Sequence, residues 1–374
     1  MATQHQILFD ARVLTNEPSG VGAYVRTLLP AMAPLLDEGE RLHVLLPSGI
    51  HLPLHESSRI ELHKTDEPFG SGKGRRQAVR LASRIQAEVV HVNSLLTTTS
   101  FPRYTVLTIH DLFPYKHPEY CTFWYRLRWR FRSFRAVFHA RRIITVSKDI
   151  FDKSVAFFGK RVSARGEVIP PPISPAFCQQ SEARLDALRE RYHLPEKFFF
   201  YIGSDSERKN LAMLLEAYRL LDPTATLPLA LAGFEGKGSA VREQAEALKI
   251  QDRIFWLGVV PDEDIPALYA AAYAFLFPCL DEGFCYPVLE AMACGAPVIC
   301  SALPALREVT AGAAKIVHPT DRQEWKNAIQ SSIVSLDWRD TARRKGLARA
   351  ADFTAAGVAR KTLSVYRSLY RKKD

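Results

Sequence analysis

Two doubly wound α/β domains are what this sequence predicts, and three observations predict them. Short apolar runs alternate with segments of helical spacing, the alternation comes in two series, and a proline-rich stretch separates the series. Length agrees: 374 residues exceed what one hydrophobic core usually serves, so two domains are expected. With 47% hydrophobic and 24% charged residues the chain reads as folded throughout, with disorder confined to its ends.

The first series opens with a strand over Gln6 to Val13. A turn at Ser19-Gly20-Val21-Gly22 follows, then a helix from Ala23 to Leu36. Further strands are expected at Leu42 to Leu46, Val89 to Val92, Thr105 to Ile109 and Arg142 to Val146, spaced as parallel strands with crossover helices are. The stretch VIPPPISP, Val168 to Pro175, carries four prolines in eight residues and reads as a stiff extended connector. The boundary is placed just after it, giving domains of 1–178 and 179–352. The second series runs through strands Phe198 to Ile202, Leu227 to Ala232, Ile254 to Leu257, Ala274 to Phe277 and Pro297 to Ser301. Helices are expected between them at Leu211 to Leu221, Ala240 to Leu248, Ile265 to Ala272 and Pro287 to Cys294. A last basic helix over Asp352 to Lys373 places Leu363, Tyr366 and Tyr370 on one face, so that 353–374 is expected to pack back on the first domain.

Composition narrows the function classes. A net charge of +10 makes an anionic partner plausible, and nucleic acid, phospholipid and a diphosphate substrate all satisfy it. The six cysteines, Cys121, Cys178, Cys279, Cys285, Cys294 and Cys300, form no CxxC pair, so neither a zinc cage nor a disulfide framework is suggested and a reducing compartment fits. No leader and no apolar run of about eighteen residues is visible, so the expectation is a cytoplasmic protein, at most resting on the inner face of a membrane.

The most informative segment is FPCLDEGFCYPVLEAMACGAPV, Phe277 to Val298. Glu282 stands in a loop after a strand, and Glu290 follows eight positions later in a helix whose first turn suits Pro287 and whose end suits Gly295. Such a loop brings backbone amides to an anion. Glu290 is then placed to accept from ribose hydroxyls and Glu282 from sugar hydroxyls. Two solvated carboxylates near a helix start are the plain alternative. A second element, Gly203-Ser204-Asp205-Ser206-Glu207-Arg208-Lys209-Asn210, sets two cations between a strand and a helix, where Arg clamps a diphosphate and Lys adds a point charge. Without an anion, cations at a helix start are unfavourable. Asp262-Glu263-Asp264 spells a metal-binding DxD but reads better as an N-cap with acidic first-turn residues, so no metal is assigned.

The Phe277 to Val298 segment resembles the signature of the family 4 retaining glycosyltransferases of GT-B fold, in which two glutamates bracket seven residues in a pattern close to EGFGxPxLEAMA. Cys285 stands where glycine is usual. The resemblance implies two Rossmann-like domains facing a central cleft, the first binding acceptor and the second a nucleotide sugar. It implies donor contacts at Gly283 and Phe284, and places Lys209 on the family's phosphate-binding lysine, with Arg208 standing in for an arginine often found where Ser204 is. Gly203 precedes that motif. Gly20 and Gly22 fall on an N-terminal glycine loop beside the donor phosphate, and His110, closing a strand before Asp111, falls on a histidine that touches the donor sugar. Phe234 and Leu257-Gly258-Val259-Val260 are expected near the base.

The family likeness implies a nucleotide-sugar donor, GDP-mannose by preference, no cofactor or metal, and a glycan or lipid-linked acceptor in bacterial polysaccharide or lipopolysaccharide assembly. Catalysis would be positioning and electrostatics by His110, Arg208, Lys209 and Glu282, with Glu290 on the ribose and a phosphate oxygen taking the acceptor proton. From Tyr120 to Lys148 there is no acidic residue, and arginines alternate with aromatics over 123–142, which suits an anionic membrane surface, or else aromatics in a core with solvated arginines. Nucleic acid fits less well. A sugar-nucleotide epimerase of the same fold and a non-catalytic membrane- or nucleic-acid-binding protein remain the alternative readings.

Overall fold

A computed structural model describes residues 4–17, 19–96, 101, 104–233 and 240–370. The chain divides into two compact units. The first comprises Met1–Ser174 with Phe353–Asp374, and the second Pro175–Asp352. The division after Ser174 falls short of the expected 178 for a local reason. Phe177 packs edge-on against Tyr269, ring centroids 6.2 Å apart, and the backbone of Cys178 hydrogen-bonds to the Cys294 thiol, so both belong with the second unit.

The first unit holds a seven-stranded parallel sheet: β1 (His5–Asp10), β2 (Glu40–Pro47), β3 (Ile60–Thr65), β4 (Val89–Val92), β5 (Tyr104–Ile109), β6 (Ala140–Thr145) and β7 (Gly166–Val168), in the order β3-β2-β1-β4-β5-β6-β7. The order reverses between β1 and β4, the place where doubly wound sheets bind ligands. β1 ends at Asp10, short of the expected Val13, because Arg12 turns back to bond Asp10. The helix expected from Ala23 begins at Gly20. Ser19 Oγ accepts the Gly22 amide at 3.0 Å, and a Cβ on Gly22 would stand 2.9 Å from that oxygen, so the glycine turn is the helix's own first turn.

Helix Ala355–Arg367 packs on helix Gly20–Met32 of the same unit, with Leu363 and Tyr366 fully buried. Tyr366 Oη meets His91 Nδ1. At its end Arg367 grips the buried Glu40 through Nε and Nη2 at 2.9 and 2.8 Å, and Tyr370 Oη donates to the same carboxylate at 2.7 Å. Burial works to raise the Glu40 pKa, but Arg367, the Asp37 amide and Tyr370 together bring it below the usual value.

The second unit holds a six-stranded parallel sheet: β8 (Phe199–Ile202), β9 (Leu229–Ala232), β10 (Ile254–Gly258), β11 (Ala274–Phe277), β12 (Val298–Ser301) and β13 (Lys315–Val317), in the order β10-β9-β8-β11-β12-β13. Its reversal lies between β8 and β11. Strands such as FFYI and AFLF are continuous apolar runs because helices cover both faces of the sheet, and Phe199, Tyr201, Leu276 and Trp325 share one buried cluster.

Candidate functional site

The sheet reversal in the second unit sets the site. The loop after β8 carries Arg208 and Lys209, and the loop after β11 carries Glu282; the two strands are neighbours, so their loops meet. Asn210, the residue that completes RKN, holds them. Its φ of 56° ends the short helical turn Glu207–Lys209 in the left-handed region that Asn tolerates. Its side-chain amide donates to Pro278 O at 2.9 Å and Pro319 O at 2.7 Å. The backbone adds Leu280 N–H to Arg208 O at 2.8 Å.

Within this frame Lys209 Nζ lies 2.7 Å and Arg208 Nη1 2.8 Å from the same oxygen, Glu282 Oε1. Arg208 Nη1 also donates to Asp281 O at 2.9 Å, and Lys209 Nζ stands 4.8 Å over the Phe277 ring. Two cations thus converge on one carboxylate oxygen at the carboxyl end of the strands. A diphosphate is built to take such a pair: its oxygens accept from both cations, and the carboxylate is released to other hydroxyls.

Glu290 is not part of that cluster. It sits in helix Tyr286–Ala293 and accepts from Tyr269 Oη at 3.2 Å. Burial pushes its pKa up to about 7, the Tyr269 hydrogen bond opposes this, Asp262 adds to it and Lys209 works against it. Gly203 follows β8, Gly283 and the buried Phe284 lie in the Glu282 loop, and the buried Val260 follows β10. Phe234 lies outside the described residues.

Cys285 has φ 85° and ψ 78° at the start of helix Tyr286–Ala293, which gives a physical account of why glycine suits this position. Pro287 lies in that helix's first turn, and Gly295, at φ 83°, follows its end. Asp264 corrects one expectation. It stands before helix Ile265–Ala271, but its carboxylate makes no cap; it takes Tyr192 Oη at 2.7 Å and Arg191 Nη1 at 2.8 Å instead.

In the first unit His110 follows β5. Its Nε2 is buried and meets no hydrogen-bond partner among the described residues, and its ring lies against Tyr24, centroids 4.8 Å apart. Burial pushes its pKa down to about 4, so the imidazole is neutral near pH 7. A neutral ring with one uncommitted nitrogen is suited to meet an uncharged hydroxyl. Two residues of the sites carried no sequence signal of their own: Tyr269, which reads as one apolar position in IPALYAA, and Tyr24, which reads as helix core.

The chain is similar over residues 18–177 to the family described as Glycosyltransferase Family 4, and over 187–345 to that described as Glycosyl transferases group 1. It is 32% identical over 268 residues to an O-antigen chain mannosyltransferase B of Escherichia coli, a match spanning 71% of this chain and 70% of that protein. It is 27% identical over 230 residues to the O-antigen chain mannosyltransferase RfbU of Salmonella typhimurium, spanning 61% of each. Among solved structures, Anabaena HepE in complex with UDP and glucose has the same fold, with a TM-score of 0.76 at 18% identity, covering 98% of this chain and 100% of that one. With the motif order, the two parallel sheets and these matches in agreement, the chain belongs to the GT-B glycosyltransferases of family 4.

Proposed function

We propose that the chain is a retaining, metal-independent mannosyltransferase that moves mannose from GDP-mannose to a glycan or lipid-linked acceptor during polysaccharide assembly. The observation that carries this reading is the convergence of Lys209 and Arg208 on Glu282 where the second sheet reverses. In the proposed reaction the two cations receive the departing diphosphate, stabilising charge that grows as the glycosidic bond breaks. Glu282, released from them, accepts from the sugar hydroxyls, Glu290 takes the ribose, and neutral His110 meets the donor sugar. With no protein nucleophile assigned, a phosphate oxygen takes the acceptor proton and the sugar is delivered on the face the diphosphate leaves. The names of the relatives support mannose as the sugar. Charge at the leaving group comes from side chains, and the one DxD-like segment has its Asp264 committed to Arg191 and Tyr192, which supports a reaction without metal.

Thermal melting of the full chain in EDTA against GDP, UDP, ADP and their sugar conjugates tests the reading. A shift selective for GDP and GDP-mannose that is lost in Lys209→Ala supports it, because a ligand of the native state raises the melting temperature. No shift with any nucleotide sinks it. Proton NMR of the product assigns the anomer, and a β-linked mannoside removes the retaining mechanism.

Attachment to an anionic membrane surface is part of the proposal. Among the described residues no helix is long and apolar enough to cross a membrane. Helix Phe123–His139 buries Trp129 but leaves Trp124, Leu127, Phe131, Phe134 and Phe138 exposed, spaced along one stripe, with Arg126, Arg128, Arg130 and Arg135 exposed around them. Apolar rings flanked by arginines fit the headgroup boundary. Co-sedimentation with phosphatidylglycerol vesicles, reduced in a Trp124→Ser/Phe131→Ser variant that melts normally, is the expected result; sedimentation unchanged in that variant overturns it.

A further inference from the structure

Arg12 follows the carboxyl end of β1, the strand beside the reversal of the first sheet. It is only 3% exposed. Its Nε and Nη2 donate to Asp10 Oδ1 and Oδ2 at 2.8 and 2.6 Å, but its Nη1 is buried and meets no acceptor among the described residues. That nitrogen points to the first turn of helix Gly72–Arg84, lying 2.7 Å from where a Cβ on Gly74 would stand. The same position is 2.9 Å from Pro68 O and 3.0 Å from Ser71 Oγ, so only glycine at 74 lets the guanidinium lie against this turn.

Other cations gather at the same turn. Arg75 Nη2 and Arg76 Nη1 fold back to 3.7 and 4.0 Å from the Cβ position of Gly72, and Lys73 in the same turn is exposed. The helix has no acidic residue in its first turn and reads GKGRRQAVRLASR, with five basic residues and no acidic one. Burial first, then the charges of Arg75 and Arg128, lower the pKa of Arg132 on helix Phe123–His139, so its positive charge is felt at this turn. Positive groups at a helix N-terminus are repelled by its dipole unless an anion joins them. The Gly74 amide is taken by Ser71 Oγ at 2.9 Å, so the donors for an anion are the unused N–H of the buried guanidinium and the flanking basic side chains.

We propose that Arg12 and the first turn of helix Gly72–Arg84 bind a phosphate group, as a monoester or a diphosphate. The phosphate comes either from the head of a lipid-linked acceptor or from a soluble phosphate ester; the first source rests on the transferase reading, the site itself does not.

The test uses the full chain carrying Lys209→Ala, so that the donor loop no longer competes for the probe. Calorimetric titration with inorganic pyrophosphate, at ionic strength fixed with chloride, is expected to show binding. Arg76→Ser, an exposed change that leaves folding intact, and Arg12→Lys, which keeps the charge opposite Asp10 while losing the fork, are each expected to weaken it about tenfold or more. GDP affinity in the chain with Lys209 intact is expected to be unaffected by either. Absence of pyrophosphate binding in the Lys209→Ala chain, or binding unchanged in both arginine variants, overturns the site. A wild-type chain that binds no nucleotide yet keeps arginine-dependent pyrophosphate binding removes the transferase reading and leaves the site standing. Phosphatidylcholine vesicles doped with phosphatidic acid separate the sources. Recruitment that falls in Arg12→Lys and is competed by pyrophosphate assigns a lipid-borne phosphate, and recruitment indifferent to Arg12 assigns a soluble one.

Discussion

Replacing Glu282 by glutamine separates two roles that the proposed chemistry gives one carboxylate. Glu282 Oε1 accepts from Lys209 Nζ at 2.7 Å and from Arg208 Nη1 at 2.8 Å, so an incoming diphosphate must compete for both bonds. With an effective dielectric of about 20, one such pair has a gross attraction of about 6 kcal/mol. The net exchange is much smaller. Arg208 is 35% and Glu282 14% exposed, and both cations gain phosphate oxygens in return, so the carboxylate's competition is about 1–2 kcal/mol. Glutamine keeps the shape and removes the charge, so Glu282→Gln is expected to bind GDP about five- to thirtyfold more tightly. Transfer from GDP-mannose is expected to fall at the same time, because the sugar loses a charged acceptor. Calorimetric titration at fixed salt gives the affinity, and product formation at saturating donor gives the rate. GDP affinity that stays equal or weakens in the variant refutes competition between Glu282 and the diphosphate.

Three further outcomes are expected. Glu290 has its pKa raised from 4.5 to about 7, so the unfolded chain gives up that proton first; stability falls as pH rises from about 4.5 to about 7 and levels off above. In the native chain the carboxylate proposed to accept from the ribose forms as pH rises through about 7, so GDP affinity is expected to be up to about tenfold weaker at about pH 6 than at about pH 8. Both dependences should be absent in Glu290→Gln, and a GDP affinity flat across this range in the native chain would remove its ribose role. Cys285→Gly is expected to melt within a few degrees of the native chain, since it relieves a left-handed backbone at the cost of a buried thiol. Cys285→Val should be destabilised by about 2 kcal/mol or more in urea titrations, and a valine there without cost would contradict the strain. Arg367→Ala leaves the buried Glu40 with only the Asp37 amide and the Tyr370 hydroxyl, so the first unit should lose about 2 kcal/mol and its melting temperature should drop by a few degrees; a drop under one degree would show the pair to be idle.

Some of this was legible in the order of residues because the physics is local. Alternating apolar runs and helical spacings mark parallel strands and their crossover helices wherever both sheet faces are covered, as in FFYI and AFLF. The edge strand IELHKT gave no such signal. It alternates polar and apolar residues and is followed by a helix in which five of thirteen residues are basic, so β3 and helix Gly72–Arg84 carry no apolar run to announce them. The helix at Phe123–His139 was visible as a helix, but spacing alone does not decide which rings are core: Trp129 is buried and Trp124 is not.

The sequence by itself determined the two α/β series, the glutamate pair and the cation pair, since each is a run of residues whose chemistry and capping are set within a few positions of one another. Only the tertiary structure decided which of them meet. Strands β8 and β11 are far apart in the chain but adjacent in the sheet, so Lys209, Arg208 and Glu282 share one oxygen while Glu290, eight residues from Glu282, turns to Tyr269. The same holds for Arg12 and Gly74, brought together because a crossover helix must start at the carboxyl edge of the sheet whose strands it joins.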